Sequence, residues 1–213
     1  MHRELREAVI RAACRLHSDK LTVANSGNIS VRCDGGMLIT PSGIAYESLV
    51  PAQIVHLDLD GRLLQGDCRP SSEWRIHADV YRARPAVGAV VHAHSPAATA
   101  LSATRQPLPP FHYMVALFGG DDVPCADYAV FGSQALSDHV LAALQQRSAC
   151  LMANHGLLAT GADLALAFAR ALELESLCQQ YLLARSLGDI VLLDHDQMAE
   201  ARSAFAGYGQ HSS

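Results

Sequence analysis

Three histidines of this sequence have the types and spacing of a catalytic metal site. His92 and His94 are two residues apart and follow the apolar run 86–91, so on a β-strand both rings would lie on one face. His155 follows a second apolar run, 149–153. Three imidazoles can hold a zinc ion that keeps positions open for a substrate. A His-x-His pair alone could equally pack and hydrogen-bond, and a lone histidine is more often structural than a ligand.

Glu73 is the candidate for proton transfer. It follows Ser71 and Ser72 at the start of a predicted helix over 71–84, where the serine hydroxyls are available as caps. The helix dipole favours a carboxylate at such a position without any catalytic role. However, a helix N-terminus with free N–H groups and hydroxyls also binds anions. We therefore expect the two serines to hold a phosphate while Glu73 faces the metal.

Two further turns could extend this anion site. The segment 25–28 and the pair Ser42 and Gly43 are rich in Gly, Ser and Asn, and such turns can direct backbone N–H groups at an anion. Turns of this composition are mostly only turns, so each of these signals is weak on its own.

Lysine usage limits the chemistry that is available. Lys20 is the only lysine among 16 basic residues, and it follows the polar run 17–19, where its amine would stay solvated. A Schiff base with a carbonyl substrate requires a desolvated or otherwise activated lysine and is nearly excluded. If the protein forms a carbanion, a metal ion must stabilise the charge.

The elements that position these residues alternate between short strands and helices. Strands are predicted at 29–32, 37–40, 54–58, 63–65, 86–91 and 149–153, and helices at 1–20, 71–84, 133–147, 163–187 and 196–206. Because turns join the early strands, we expect an α/β protein whose mixed or antiparallel sheet is packed against helices.

Composition indicates one globular domain over residues 1–213. Half of the residues are hydrophobic and 17% are charged, and the formal net charge is −5. This balance argues against nucleic-acid and membrane-surface binding. No apolar stretch is long enough to span a bilayer, and charges interrupt the N-terminal segment as they would not in a signal peptide. The six cysteines form no C-x-x-C pair, so we expect reduced thiols and a cytoplasmic protein.

Several short motifs follow one another along the chain in an order that resembles a known family. The motifs are Ser-Gly-Asn-Ile-Ser at 26–30, Leu-Ile-Thr-Pro-Ser-Gly at 38–43, Pro-Ser-Ser-Glu-Trp at 70–74, Val-Val-His-Ala-His at 90–94, Phe-His-Tyr-Met at 111–114, Asn-His-Gly-Leu at 154–157 and Tyr-Gly at 208–209. Together they resemble the class II aldolase/adducin family, with similar spacing over essentially the whole chain.

The resemblance implies a fold, an assembly and a metal. The fold is a three-layer α/β/α sandwich with a central mixed, mainly antiparallel sheet. The assembly is a homotetramer with active sites between subunits. The metal is one Zn²⁺ per subunit, with other divalent metals possible. Its expected ligands are His92, His94, His155 and, when substrate is absent, Glu73.

The resemblance also assigns roles to residues that contact the substrate. The expected phosphate-binding residues are Asn28, Ser42, Gly43, Ser71 and Ser72. Tyr113 is expected to reach the site of a neighbouring subunit and to exchange a proton with the aldehyde oxygen, and Tyr208 to close over the substrate. Phe131, Phe205 and His77 are not expected to contact the substrate.

The implied reaction is a retro-aldol cleavage of a phosphorylated ketose. The substrate would be L-fuculose 1-phosphate or a related 5-deoxypentulose 1-phosphate, and the products dihydroxyacetone phosphate and an aldehyde. Tyr113 would take the proton of the C4 hydroxyl, and Glu73 would return a proton to C3. The metal would stabilise the charge that develops between these steps.

Four alternatives remain open at this stage. The first is an aldolase of the same mechanism that acts on 5-deoxyribulose or 5-methylthioribulose 1-phosphate. The second is a methylthioribulose-1-phosphate dehydratase. A ribulose-phosphate epimerase is disfavoured, because those enzymes carry aspartate at the position of Glu73. A non-catalytic scaffold like the adducin head domain would be expected to have a disrupted metal shell.

Overall fold

One eight-stranded sheet lies at the centre of the structure, with helices packed against it. The computed structural model describes residues 2–23 and 26–206. The strands are β1 Gly27–Cys33, β2 Gly36–Ile39, β3 Val55–Leu57, β4 Leu63–Gln65, β5 Ala89–Ala93, β6 Cys125–Ala126, β7 Ala149–Met152 and β8 Gly156–Gly161. The helices are α1 Arg3–Ser18, α2 Trp74–Ala83, α3 Pro96–Ser102, α4 Gln134–Ala143, α5 Leu164–Leu187 and α6 His195–Ala206.

The sheet is mixed and mainly antiparallel. Its strand order is β4-β3-β2-β1-β5-β8-β7-β6, and every neighbouring pair is antiparallel except β6 and β7. Strand β5 lies near the middle, between β1 and β8. Asn28 of β1 is directly opposite His92 of β5, and Leu158 of β8 is opposite His92 on the other side. The centre of the sheet therefore presents a polar group and a histidine on one rung.

Two hydrophobic clusters fill the two faces of the sheet. Alternate residues of β5 point to opposite faces and pack in different clusters. Val91 packs in the cluster that contains α1, α3 and α5, and Val90 packs in the cluster that contains α2 and α4. His92 is two residues from Val90 and so lies on the α2 side. This arrangement confirms the predicted three-layer α/β/α architecture.

The main differences from the predicted elements lie beside the candidate site. Strand β8 was not predicted, because its short apolar run follows a turn and is buried along its whole length, so it shows no alternation of polar and apolar residues. The second helix begins at Trp74 rather than at Ser71, and Glu73 is its N-cap residue. Neither serine is the N-cap residue, but the hydroxyl of Ser71 accepts from the backbone N–H of Glu73 just before the helix. Both serines lie in the turn that leads into α2.

Among the described residues, no helix combines the length and the apolar composition that crossing a lipid bilayer requires.

Candidate active site

The three histidines come together because they lie at neighbouring ends of paired strands. His92 belongs to β5 and His94 follows it, while His155 is in the turn between β7 and β8. Strand β8 pairs with β5, which places this turn beside His94. Gly156 allows the close approach, since a Cβ atom at this position would lie 2.4 Å from the carbonyl oxygen of Ala93.

The side chains of the three histidines and Glu73 form one compact cluster. The Nε2 atoms of His92 and His94 are 3.0 Å apart, and the three ring centroids are 4.7 to 4.9 Å from one another. Glu73 places Oε2 3.1 Å from Nε2 of His92 and Oε1 3.4 Å from Nε2 of His155. One donor atom from each of the four residues lies within 4.8 Å of all the others. The structure thus brings together all four predicted metal ligands.

The chemistry of these donors suits a divalent cation. His92 is 1% exposed, and its Nδ1 lies 2.8 Å from the carbonyl oxygen of Leu157. A proton on Nδ1 leaves the lone pair of Nε2 directed at the cluster. Within the described part of the chain, Oε1 of Glu73 is buried and accepts no hydrogen bond. Buried acceptors without a donor are costly, and a cation among these four groups would satisfy them.

The protonation states of His94, His155 and Glu73 in the metal-free cluster also favour a cation. Burial, together with the charge of His92, lowers the pKa of His94 and of His155 to about 4. Burial opposes the ionisation of Glu73 and His92, but their mutual attraction outweighs it. The pKa of Glu73 is therefore lowered and that of His92 is raised. At neutral pH two imidazoles are unprotonated and the carboxylate is charged, as metal binding requires.

A cavity of about 390 Å³ opens beside this cluster. All five residues that were predicted to bind phosphate line it, namely Asn28, Ser42, Gly43, Ser71 and Ser72. The amide of Asn28 donates to Oε2 of Glu73 at 3.0 Å, so the predicted anion site and the metal cluster are in direct contact. The hydroxyl of Ser71 accepts from the backbone N–H of Glu73 at 3.3 Å. No lysine or arginine is among the described residues that line the cavity.

Tyr113 does not lie at the metal cluster of its own chain. Tyr113 begins a 3-10 helix, Tyr113–Phe118, and its side chain is 52% exposed. It does not line the cavity. Its ring stacks instead on Phe205 of α6, which ties the tyrosine to the C-terminal helix. Tyr208 lies outside the described residues.

Three residues of the cavity wall were missed by sequence reasoning. Tyr128, Phe131 and Asn154 also line the cavity. The ring of Phe131 is 64% exposed, so it does not pack in the core of this chain. These residues belong to irregular segments, which carry no periodic signal in the sequence. Two aromatic residues among the polar and small residues of 127–133 are the only hint that this loop borders a ligand.

His77 is more than a packing residue. It is fully buried, and its Nε2 is 2.5 Å from Oδ1 of Asn28. A signal was present in the sequence: Glu73, His77 and Tyr81 are each four residues apart, which places them on one face of a helix.

Known proteins share both the sequence and the fold of this chain. Residues 7–182 match the family model "Class II Aldolase and Adducin N-terminal domain". The chain is 43% identical over 208 residues to a 5-methylthioribulose-1-phosphate/5-deoxyribulose-1-phosphate aldolase of Rhodospirillum rubrum, covering 98% of this chain and 94% of that protein. It is 44% identical over 190 residues to the L-fuculose phosphate aldolase of Escherichia coli K12, covering 89% of this chain and 88% of the relative.

A solved structure agrees with these relatives. An L-fuculose 1-phosphate aldolase superimposes with a TM-score of 0.92 at 36% identity, covering 95% of this chain and 96% of the other. The predictions of an aldolase and of the family are confirmed by these similarities. The chain belongs to the class II aldolase and adducin N-terminal domain family.

Proposed function

We propose that this protein is a zinc-dependent aldolase that cleaves a ketose 1-phosphate into dihydroxyacetone phosphate and a short aldehyde. One observation carries the proposal. The cluster of Glu73 with three histidines, whose donor atoms lie within 4.8 Å of one another, borders a cavity lined by hydroxyl, amide and glycine groups. An intact set of metal ligands also argues against a non-catalytic scaffold.

The anion site would hold the substrate phosphate. Ser71 is buried, Asn28 is 3% exposed, and Gly43 has a φ of +73° in an open turn. These groups offer hydroxyl, amide and backbone N–H donors, which bind a phosphate without a formal positive charge. The binding energy of the phosphate would position the reacting carbons beside Glu73.

The three histidines would hold the zinc ion. A bound zinc ion supplies Lewis-acid stabilisation of the negative charge that develops at the substrate carbonyl when the carbon–carbon bond breaks. Glu73 would leave the histidines as the substrate enters. The other steps belong to side chains of the protein.

Two proton transfers complete the reaction. The C4 hydroxyl loses its proton to the side-chain oxygen of Tyr113, the C3–C4 bond breaks, and C4 becomes the aldehyde. Glu73 in its acid form delivers a proton to C3, which completes dihydroxyacetone phosphate. Tyr113 takes up one proton and Glu73 releases one, so the number of protons balances. In the reverse direction Glu73 takes this proton from C3 as the base.

Tyr113 would act in the site of a neighbouring subunit of a homotetramer. The support is geometric: the tyrosine is half exposed, lies outside the cavity of its own chain, and is backed by Phe205. A half-exposed aromatic pair is a suitable surface for a contact between subunits.

A short aldehyde with an apolar end is the best candidate for the rest of the substrate. Part of the cavity wall is formed by Tyr128, Ala129 and Phe131. Such a wall suits a methyl or methylthio group better than a further hydroxyl, which would lose its hydrogen bonds to water. This favours 5-deoxyribulose or 5-methylthioribulose 1-phosphate, the substrates in the name of the Rhodospirillum rubrum relative. L-Fuculose 1-phosphate, whose aldehyde part also ends in a methyl group, is the second candidate.

A coupled assay for dihydroxyacetone phosphate tests the proposal. The panel is L-fuculose, L-rhamnulose, 5-deoxyribulose and 5-methylthioribulose 1-phosphates, each with the zinc-loaded protein and after chelation. Cleavage of at least one that stops on chelation and returns with zinc is expected. Glu73→Gln should lose activity while the three histidines retain the metal, and Glu4→Gln on the exposed face of α1 is the matched control. Cleavage that persists without metal, or in Glu73→Gln, would refute the mechanism.

A further inference from the structure

A continuous chain of buried hydrogen bonds runs from Glu73 into the space between β1 and α2. Asn28 Nδ2 is 3.0 Å from Glu73 Oε2, and Asn28 Oδ1 is 2.5 Å from His77 Nε2. On the other side of the imidazole, Nδ1 of His77 is 2.6 Å from Oγ of Ser30, which is 2.7 Å from the hydroxyl of Tyr81. Each of these residues is buried, none more than 6% exposed.

The direction of every bond in this chain follows from chemistry. A carboxylate only accepts, so Asn28 must present its NH₂ group to Glu73 and its carbonyl oxygen to His77. His77 must then carry a proton on Nε2. Burial of the imidazole lowers the pKa of His77 to about 3, so the ring is neutral and Nδ1 is an acceptor. Ser30 therefore donates to His77 and accepts from Tyr81.

The amide of Asn28 is the point at which this chain meets the cavity. Asn28 lines the cavity as well as contacting Glu73. If the amide were rotated by half a turn, its oxygen would face the carboxylate and repel it. The bond from His77 opposes this rotation, because Nε2–H needs an acceptor and the NH₂ group cannot serve as one.

We propose that His77 is a positioning residue of the active site: it fixes the orientation of the Asn28 amide, and through it the position of the Glu73 carboxylate and the donor that faces the phosphate. Ser30 and Tyr81 fix the tautomer of His77. The proposal rests on the catalytic role of Glu73 given above. It adds residues that touch neither the metal cluster nor the cavity.

Two substitutions separate this role from a packing role. The amide nitrogen of a glutamine reaches the place of imidazole Nε2, so His77→Gln keeps the donor to Asn28. The shorter asparagine places its amide near Nδ1, so His77→Asn keeps a partner for Ser30 but loses the contact with Asn28. Both variants replace the imidazole by a neutral amide, and each serves as the control for the other.

The expected result is a difference in both kinetic constants. His77→Asn should lower kcat/KM roughly 10- to 100-fold, the usual cost of losing a residue that orients a metal-site group. The loss should comprise a lower kcat, from the displaced carboxylate, and a higher KM, from the reoriented amide. His77→Gln should keep most of the activity. Zinc content should stay near one per chain in both, because the three histidines are unchanged.

A measurement that does not need activity tests the same proposal. Long-range ¹H–¹⁵N spectra of ¹⁵N-histidine-labelled, zinc-loaded protein report the tautomer of each ring, and His77→Gln identifies the signal. His77 should be neutral with its proton on Nε2, and Tyr81→Phe should perturb that signal.

The outcomes keep this proposal separate from the proposed function. Equal activity of His77→Asn and His77→Gln, or a proton on Nδ1 of His77, would overturn the positioning role. If no ketose phosphate is cleaved, the proposed function fails, while the tautomer measurement still decides the direction of the hydrogen-bond chain.

Discussion

The rings of Tyr113 and Phe205 are stacked nearly parallel, with centroids 5.9 Å apart and planes 12° from parallel. The stack joins the 3-10 helix Tyr113–Phe118 to α6. Asp121 reinforces the connection through ion pairs with His195 and Arg202 of the same helix. The C-terminal helix therefore packs against the ring of Tyr113 and supports it.

The first prediction follows from this stack. Tyr113→Phe keeps the ring and removes the proton acceptor, so kcat should fall about 100-fold or more, in the range of general acid–base catalysis. Phe205→Ala keeps the hydroxyl but removes its support and should lower kcat up to about tenfold, the value of an aromatic pair. Steady-state kinetics on the best substrate of the panel measure both. A larger effect of Phe205→Ala than of Tyr113→Phe would contradict the assigned roles.

The second prediction concerns the contribution of a neighbouring subunit. Glu73→Gln and Tyr113→Phe are each expected to be inactive as pure proteins. If a site combines Glu73 of one subunit with Tyr113 of another, co-expression of the two variants produces some complete sites. Purified hybrids, separated by two different affinity tags, should regain part of the wild-type kcat. Hybrids as inactive as their parents would place both groups in one chain or show that no assembly forms.

The third prediction concerns metal and stability. The proposed ligands come from the start of α2, from the end of β5 and from the turn before β8, so an ion bound there would link three segments of the folded chain. A ligand that binds only the folded state raises the free energy of unfolding, by about 2.7 kcal/mol at 100 times its Kd. Zinc should therefore raise Tm and a chelator should lower it. His94→Ala, which lacks one ligand, should lose most of this response in thermal melts.

The fourth prediction concerns pH. The pKa of His77 is about 3 in the folded protein against 6.5 for an unperturbed imidazole. Below pH 6.5 the unfolded chain binds a proton at this residue that the folded chain does not bind, so stability falls as the pH falls. Between pH 7 and pH 5 the loss is about 2 kcal/mol. Urea unfolding of wild type and His77→Gln at both pH values isolates this loss, because the other histidines contribute equally to both. An unchanged pH response in the variant would mean that His77 titrates normally.

The fifth prediction concerns the support of α3. Both oxygens of Glu175 on α5 accept backbone N–H groups at the start of α3, from Ala97 at 2.9 Å and Ala98 at 2.8 Å. Glu175 is 5% exposed, so this remote cap is shielded from water. Glu175→Gln should cost about 1 to 3 kcal/mol of unfolding free energy, because a charged acceptor is lost. Glu173→Gln, on the same helix, is the matched control for denaturant titrations.

The histidines of the metal cluster can be predicted from the sequence because short local patterns locate them. His92 and His94 end a strand whose period places both on one face, and His155 ends another. The three histidines come together when the ends of these two strands are neighbours. The missed strand β8 is the element that makes them so, since it lies between β5 and β7. Its apolar run is too short and too uniformly buried for its periodicity to distinguish it from a helix.

The less predictable parts of the site depend on contacts between distant segments. Phe131 and Tyr128 reach the cavity only because their loop folds over the turn at Ser72, where Gly132 has a φ of +73° and leaves no room for a Cβ. His77 looks like any histidine in a helix until Ser30 and Asn28 of β1 are seen to face it. No pattern within one element reveals such a pairing, because it depends on which strand the helix covers.

The antiparallel pairing of Asn28 with His92 in neighbouring strands fixes the distance between these two residues. In the proposed function Asn28 would contact the phosphate and His92 would hold the metal ion near the carbonyl, and the hydrogen bonds between the two strands set the spacing between these residues. We therefore expect the enzyme to accept little variation in the part of its substrate between the phosphate and the carbonyl. The pairing of these two strands does not constrain the part of the substrate beyond the broken bond. Ketose phosphates that share the part from the phosphate to the carbonyl but differ in length should therefore be cleaved by the same protein.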